Sequence, residues 1–431
     1  MPSLLTNSDF RRLWAGQTAS QLGEHTSLVI LPLVAVLTLH VGAEQLGVLR
    51  AVGQAPQLLL ALFAGVWVDR WRSRTVMVLA DCGRALALGA AAMAAHLGGL
   101  GLPTLLIVAF AVGAMSVFFD VAYQAGLVRL VRRDQLVRGN SAIEGSRSAA
   151  QIGGPALGGA LVSLLSAPLA AASAALFFVV SFGSIAAIRH REAVDRRAAR
   201  PGGADSRAAR RQDADDRHRG VVDRRVRGRI REGVRFVAGD ALLRTVCLAS
   251  AAFQLSLAAA MTAYLLFLPR DLHLSGAAVG LALAATGPGA LAGSLLAARL
   301  PERFGYGVVL VTAATVGDGV LLCVPLLHGG STATLVALAG INLVFGAFGQ
   351  LVNVTIMAVR QTVTPDDLQG RVAATITFAG MGMTPFGSLL GGYLADAWGA
   401  RAALAVTAAG MLLSPLLMAL SPLARLGRKI T

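Results

Sequence analysis

Apolar stretches of about 20 residues recur from one end of this 431-residue chain to the other. Each is long enough to cross a ~30 Å hydrocarbon core as a helix. A helix satisfies its own backbone hydrogen bonds in lipid, so such stretches impose a bundle of helices. A transmembrane barrel needs alternating segments of about 10 residues, and these stretches do not alternate. Composition agrees: 55% of the residues are hydrophobic and 14% are charged, too few charges to coat a soluble domain of this length. Twelve spans are expected, at roughly 13–39, 46–68, 75–97, 104–128, 139–165, 168–188, 242–268, 276–298, 307–327, 332–359, 371–395 and 401–421.

The formal net charge is +15. In a soluble protein that balance points to nucleic acid. Here the charge is gathered in loops on one side of the expected bundle. Arg70, Arg72 and Arg74 follow span 2, Arg129, Arg132, Arg133 and Arg138 follow span 4, and Arg299, Arg303 and Arg360 follow spans 8 and 10. Loops 40–45, 98–103, 166–168 and 328–331 hold no arginine, and only Arg270 and Arg401 break the pattern. The positive-inside rule then places both termini in the cytoplasm of an inner (cytoplasmic) membrane. The first span follows a short polar start with no cleavage site after it and is expected to be retained. Cys82, Cys247 and Cys323 lie far apart, so neither a disulfide framework nor a metal site is expected.

One long polar segment divides the chain. Residues 189–235 hold 16 arginines and 8 acids, with Pro201, Gly202 and Gly203 among them. Most of the segment reads as a flexible linker. Its last third places Val222, Val226, Ile230 and Val234 every fourth residue, which suits an amphipathic helix on anionic lipid. No aromatic residue interleaves its arginines, so no nucleic-acid partner is expected. The expected units are an N-terminal six-helix bundle (1–188), a cytoplasmic arginine-rich linker (189–240) and a C-terminal six-helix bundle (241–431).

The two bundles repeat. A shift of 233 residues lays Gly47 on Gly280, Asp69 on Glu302, Arg70 on Arg303, Gly154 on Gly387 and Gly158-Gly159 on Gly391-Gly392. RRDQL (132–136) meets TPDDL (364–368) one residue off that shift. Parallel six-helix repeats form carriers whose site lies between the halves near the bilayer midplane.

Charges within the spans need a reason, since each costs several kcal/mol, about 2.5–3.5 on insertion scales, unless paired or hydrated. Asp81 and Arg84 in span 3, and Glu144 and Arg147 in span 5, stand three apart and are expected to neutralise one another in structural or gating roles. Asp120 can reach Arg84 or Arg147 across helices. Glu24, near the middle of span 1, and Asp318, in span 9, have no evident local counter-ion. Carboxylates in poorly hydrated cavities exchange protons at higher pH than in water, which makes Glu24, Asp318 and Asp120 candidates for coupling or substrate contact. His25, beside Glu24, reads as an ordinary packed histidine. Between spans 2 and 3, Gly65, Asp69, Arg70 and Arg74 admit two readings, a charge latch or a solvated turn. In span 5, Gly154-Pro155-Ala156-Leu157-Gly158-Gly159 allows a bend and close helix contact. The chain has no Walker A, HExxH or GxSxG pattern, so it reads as neither an ATP-driven machine nor an enzyme, with no cofactor expected.

The loop after span 2 resembles the signature of the major facilitator superfamily, G-x-x-x-D-R-x-G-R-[KR], through Gly65, Asp69, Arg70 and Arg74. Arg72 replaces the inner glycine and Ser73 a basic position. The resemblance implies that Asp69 helps stabilise an outward-facing state. The Gly154–Gly159 run is similar to the signature of antiporter members, with Ala150 and Ser141 where the longer pattern prefers glycine. FRRLWAGQTASQLGEHTSLVILPL, Asp81-x-x-Arg84, FFDVAYQA (118–125) and Asn140-Ser141 resemble the macrolide-efflux and enterobactin-exporter-like branch. The resemblance implies an all-α fold of twelve transmembrane helices in two pseudo-twofold-related bundles. It also implies secondary active transport by a monomer. The expected activity is proton-coupled export of a small amphipathic molecule, with protons and membrane lipid as further partners. An importer or lipid flippase on the same fold, or a non-transporting membrane sensor, are the rivals.

Overall fold

In the computed structural model, residues 8–68, 71–130, 136–188, 231–365 and 368–428 are described. They form helical rods joined by short loops. The first half has six: α1 (Ser8–Leu37), α2 (Ala43–Val68), α3 (Ser73–His96), α4 (Leu102–Leu130), α5 (Leu136–Leu164) and α6 (Ala167–Ala186). A short helix, α7 (231–239), precedes the second half. That half begins with α8 (Ala241–Arg270) and a rod made of α9 (Gly276–Ala284) and α10 (Thr286–Ala297). After the short α11 (Leu300–Phe304) comes α12 (Tyr306–Gly319), which runs on as a 3₁₀ turn (Val320–Leu326). Then follow α13 (Thr332–Val363), the rod of α14 (Gln369–Met381) and α15 (Thr384–Trp398), and the rod of α16 (Ala400–Met411) and α17 (Leu413–Ala419). The chain is thus an all-helical, multi-pass membrane protein. Ten of the rods are long and apolar enough to cross a membrane on length and composition alone. The other two, α2 and α5, have 26 and 29 residues and so also have the length, and α5 carries more polar side chains.

Local chemistry sets the ends of several rods. Asp240 caps α8 by accepting from the Leu243 N–H at 2.9 Å, and Ser331 caps α13 by accepting from the Thr334 N–H at 3.2 Å. Gly305 and Gly399 open α12 and α16 at φ of 92° and 84°, a region L side chains rarely adopt. Arg74 donates to the Ala186 carbonyl at the end of α6, where a cation also suits the helix dipole.

The 233-residue repeat is visible as geometry. Several crossings so close that only glycine fits recur in the other half. Gly113 abuts the Gly53 carbonyl, and Gly346 abuts that of Thr286. Gly154 and Gly158 lie against His25 and Thr26 of α1, and Gly387 and Gly391 lie against Ala258 and Ala259 of α8. His40 and His273, the two non-glycine residues with positive φ among those described (51° and 55°), are also 233 apart.

The apolar core shows how the halves meet. One cluster joins both halves at the end where the loops lack arginine, through residues such as Ile30, Leu33 and Leu46 with Leu266, Leu268 and Val279. Toward the arginine-rich end the core divides. One cluster (Phe10, Met77, Phe119, Ile185) belongs to the first half and another (Val246, Leu310, Val359, Ile376) to the second. The molecule is therefore closed at its arginine-poor end and parted at the other.

Of the expected amphipathic helix, Val222, Val226 and Ile230 lie outside the described residues. The described part, α7, packs on α14 through Gly233, where a Cβ would stand 3.0 Å from Thr375 Oγ1 and 3.1 Å from the Arg371 carbonyl. Val237 is buried and Val234 is exposed. Glu232 pairs with Arg371 at 2.7 Å, with side chains 55% and 31% exposed. Such a pair is worth at most about 1 kcal/mol. Glu232→Ala is therefore expected to leave the thermal melt of the purified chain within about 1 kcal/mol of wild type. A larger loss would mean that the pair anchors α7.

Candidate functional site

Between the halves lies a cavity of about 760 Å³. Most of its wall comes from α1, α2, α4 and α5, and Gln254, Thr377, Met381 and Thr384 face it from the second half. Polar residues within α2 and α5 face this cavity. Arg50, Gln54 and Gln57 occupy positions i, i+4 and i+7 of α2, so they share one helical face and all line the cavity, as do Glu144 and Arg147 of α5. The Arg50 Nε and the Gln17 Oε1 are buried without a hydrogen-bond partner among the described residues. The sequence reading missed Arg50, Gln54 and Gln57. Their seven-residue spacing on one face was the signal available.

Glu24 and Asp120 also line this cavity. Glu24 has the counter-ion that the sequence reading failed to find: Arg84 Nη1 lies 3.7 Å from its Oε2. The partner comes from α3, beyond the reach of any local pattern. Arg84 itself is fully buried and paired with Asp81, also fully buried. Arg84 Nη2 donates to Ser20 Oγ at 2.8 Å and Nη1 to Ser116 Oγ at 3.3 Å. Ser181 Oγ and Ser20 Oγ donate to Asp81 at 2.5 and 3.3 Å. The guanidinium stacks on Phe119 at 4.5 Å and Phe178 at 4.4 Å. This network ties α1, α3, α4 and α6 together inside the first half.

The expected pairing of Glu144 with Arg147 is not made, and neither joins Asp120: among the described residues no ion pair within 4 Å involves these three. All three line the cavity, and Glu144 and Arg147 are exposed there, so a helix spacing of three does not by itself hold them together. Of the loop after span 2, Gly65 falls within α2, while Asp69 and Arg70 lie outside the described residues. Asp318 stands apart from the central cavity, in a separate chamber of the second half. Among the described residues, no group of three or more His, Cys, Asp or Glu is placed to hold a metal.

The arginine-poor end of the cavity is shut by backbone. On one side of the pseudo-twofold axis α5 crosses α9, and a Cβ at Gly159 would stand 2.7 Å from the Gly280 Cα. On the other side α2 crosses α15, and a Cβ at Gly47 would stand 2.9 Å from the Gly392 Cα. The repeat exchanges the two crossings, since 47 and 159 become 280 and 392 on adding 233. Hydrogen bonds accompany them: the Ala277 N–H donates to Ser163 Oγ at 2.5 Å, and Ser388 Oγ to Gln54 Oε1 at 3.2 Å. Pro155 sits inside an uninterrupted α5, and the glycines around it face two ways, Gly154 and Gly158 toward α1 and Gly159 toward the opposite half.

Both exceptions to the arginine pattern are used inside the protein. Arg270 donates to the Val41 carbonyl across the halves. Arg401 donates to the Pro325 carbonyl at 2.6 Å and stacks on Phe267 at 5.0 Å.

Two repeated helical halves around a polar cavity, sealed at one end and parted at the other, define a membrane transporter for small molecules rather than an enzyme. The chain belongs to the Major Facilitator Superfamily, whose model matches residues 13–255. A second model, described as transmembrane secretion effector, matches residues 207–429. The chain is 27% identical over 412 residues to the multidrug efflux pump Tap of Mycobacterium tuberculosis, covering 88% of this chain and 85% of that one. To Tap of Mycolicibacterium fortuitum it is 26% identical over 416 residues, covering 93% and 92%. Among solved structures, a bacterial homologue of the iron transporter ferroportin in an inward-facing state superposes with a TM-score of 0.72 at 17% identity, covering 97% of this chain and 98% of that one. A bacterial homologue of the human lysosomal transporter Spinster, inward-facing and occupied, gives 0.72 at 12% identity, covering 99% and 98%. At such identities the structures speak for the fold alone.

Proposed function

We propose that the chain is a proton-coupled exporter of small amphipathic molecules, acting as a monomer in the inner membrane with both termini in the cytoplasm. The observation that carries this reading is the 760 Å³ cavity, lined by Glu24 and Asp120 and sealed by backbone at the arginine-poor end alone. With the arginine-rich loops in the cytoplasm, the cavity faces inward and is ready to take up cargo from the cytoplasm or the inner leaflet. The likeness to the Tap multidrug efflux pumps supports export over import. The units 1–188, 189–240 and 241–431 serve as two rocking bundles and the linker between them.

Alternating access requires the glycine crossings to part as the arginine-rich ends converge. In this scheme the loop after span 2, with Asp69, Arg70 and Arg74, latches the cytoplasmic side. Glu24 couples the stroke to protons: charged, it is held by Arg84, and once protonated it no longer attracts that guanidinium. The proton thus favours one state of the pair, as a coupling ligand must.

Two arms test this in proteoliposomes loaded with a fluorescent amphiphile. In vesicles of known orientation, an imposed proton gradient is expected to drive the dye toward the arginine-poor face; movement toward the other face would make the chain an importer. Glu24→Gln is expected to abolish gradient-driven accumulation while leaving movement down the dye's own gradient. Full dependence on the proton gradient in that variant would remove Glu24 from the coupling role.

A further inference from the structure

The 233-residue offset has a second use. Applied to the buried ion network of the first half, it carries Asp81 to Ala314, Arg84 to Gly317, Ser116 to Gly349, Phe119 to Val352 and Ser181 to Ser414. Asp81, Arg84 and Phe119 thus give way to smaller residues, while Phe178 becomes Met411 and Ser20 becomes Phe253. Ala314, Gly349, Val352 and Ser414 all line a chamber of about 300 Å³ in the second half. A Cβ at Gly349 would meet nothing within 4 Å. The chamber lies beside the positions that hold the Asp81 carboxylate and the Phe119 ring in the first half, while Gly317 packs on Phe348 and does not line it.

The chamber keeps a carboxylate. Asp318, one position beyond the counterpart of Arg84, lines it and is 4% exposed. No hydrogen bond or ion pair joins Asp318 to any described residue. Asn353 and Ser250 also face the space. Arg360 lies at its other end, seven residues or roughly 10 Å along α13 from Asn353. The chamber shares Gln254, Thr377 and Met381 with the wall of the central cavity, so the two spaces are neighbours. A buried, unpaired carboxylate beside a mostly apolar space of small-ligand size is the complement of a cation.

We infer that this chamber binds the basic group of the cargo, an ammonium or guanidinium that pairs with Asp318 as Arg84 pairs with Asp81. The inference rests on the carrier reading and narrows its cargo to organic cations with an apolar body.

The test uses the purified full-length chain and a matched pair of fluorescent probes. One is the permanently charged 4-(4-(dimethylamino)styryl)-N-methylpyridinium and the other its uncharged parent styrylpyridine, titrated at pH 8. Wild type is expected to bind the cation at least about tenfold more tightly than the parent, as a desolvated charge pair requires. Asp318→Asn, which preserves shape, is expected to bring the cation down to the parent's affinity. Val352→Phe, which restores the first half's ring and fills the chamber, is expected to weaken the cation by a similar factor. Equal affinity for the two probes in wild type, absence of cation binding, or a preference that survives Asp318→Asn would each overturn the cation site. Transport in proteoliposomes separates the two levels. Movement of both probes without preference leaves the carrier standing and removes the site, whereas movement of neither sinks both.

Discussion

Gly159→Leu is expected to cut transport by at least about tenfold while the protein still folds. At this crossing the neighbours are the Gly276 carbonyl and the Gly280 backbone, with the nearest Cα 2.7 Å from where a Cβ would stand. No side-chain rotation relieves such a contact, so α5 and α9 must separate. Overpacking of this kind costs about 1–3 kcal/mol. Here the cost falls on the state that is closed at the arginine-poor end, and about 1.4 kcal/mol already shifts a two-state balance tenfold. Gly47→Leu, at the crossing related by the pseudo-twofold axis, is expected to behave alike. Gly89→Leu is the control, because a Cβ there meets nothing within 4 Å. Spin labels at His40 and His273, both exposed loop positions, report the opening directly once Cys82, Cys247 and Cys323 are replaced by serine. The label distance should lengthen in Gly159→Leu and Gly47→Leu but not in Gly89→Leu. Wild-type transport with an unchanged distance would mean that the crossing is not a gate.

Arg84→Ala is expected to be the most destabilising single substitution in the first half. It strips the counter-ion from Asp81, which is fully buried, and leaves Glu24 unpaired as well. Breaking a buried pair in this way costs about 3–5 kcal/mol, because the surviving charge has nowhere to go. The lost stacking on Phe119 and Phe178 adds a packing defect. Replacing both members with uncharged residues of similar volume, Asp81→Asn with Arg84→Met, removes the orphaned charge and should recover much of the loss. The measurement is the thermal melt and monodispersity of each purified variant. An Arg84→Ala protein that melts like wild type would show that the network is solvated after all, and a double variant no better than the single would place the cost in packing alone.

The halves and their axis were legible in the sequence because glycine is the one residue that permits backbone-to-backbone crossings. Gly47, Gly154, Gly158 and Gly159 therefore had to recur as Gly280, Gly387, Gly391 and Gly392 wherever the second half repeats the same crossing. Asp81 and Arg84 were legible as a pair because helix spacing alone brings them together. The tie between Glu24 and Arg84 was not, since it depends on how α1 and α3 are turned toward each other. The chamber at Asp318 was the hardest to see. It consists of what Ala314, Gly349 and Val352 lack, and a missing side chain leaves no mark until its counterpart in the other half is known. Arg50 hid in a span whose hydrophobic average concealed one wet face.

The two halves share a plan yet are not equally continuous. In the first, all six rods run as continuous helices, even through Pro32, Pro56 and Pro155. In the second, four of the six are interrupted near their middles: at Ala285, where the 3₁₀ turn begins at Val320, around Gly382 and Met383, and at Leu412. The first half is thereby suited to act as an anvil. The breaks at Ala285 and around Gly382 fall between the segments that hold the crossings, α9 on α5 and α15 on α2, and the segments α10 and α14 below them, so the second half carries joints where the first has none.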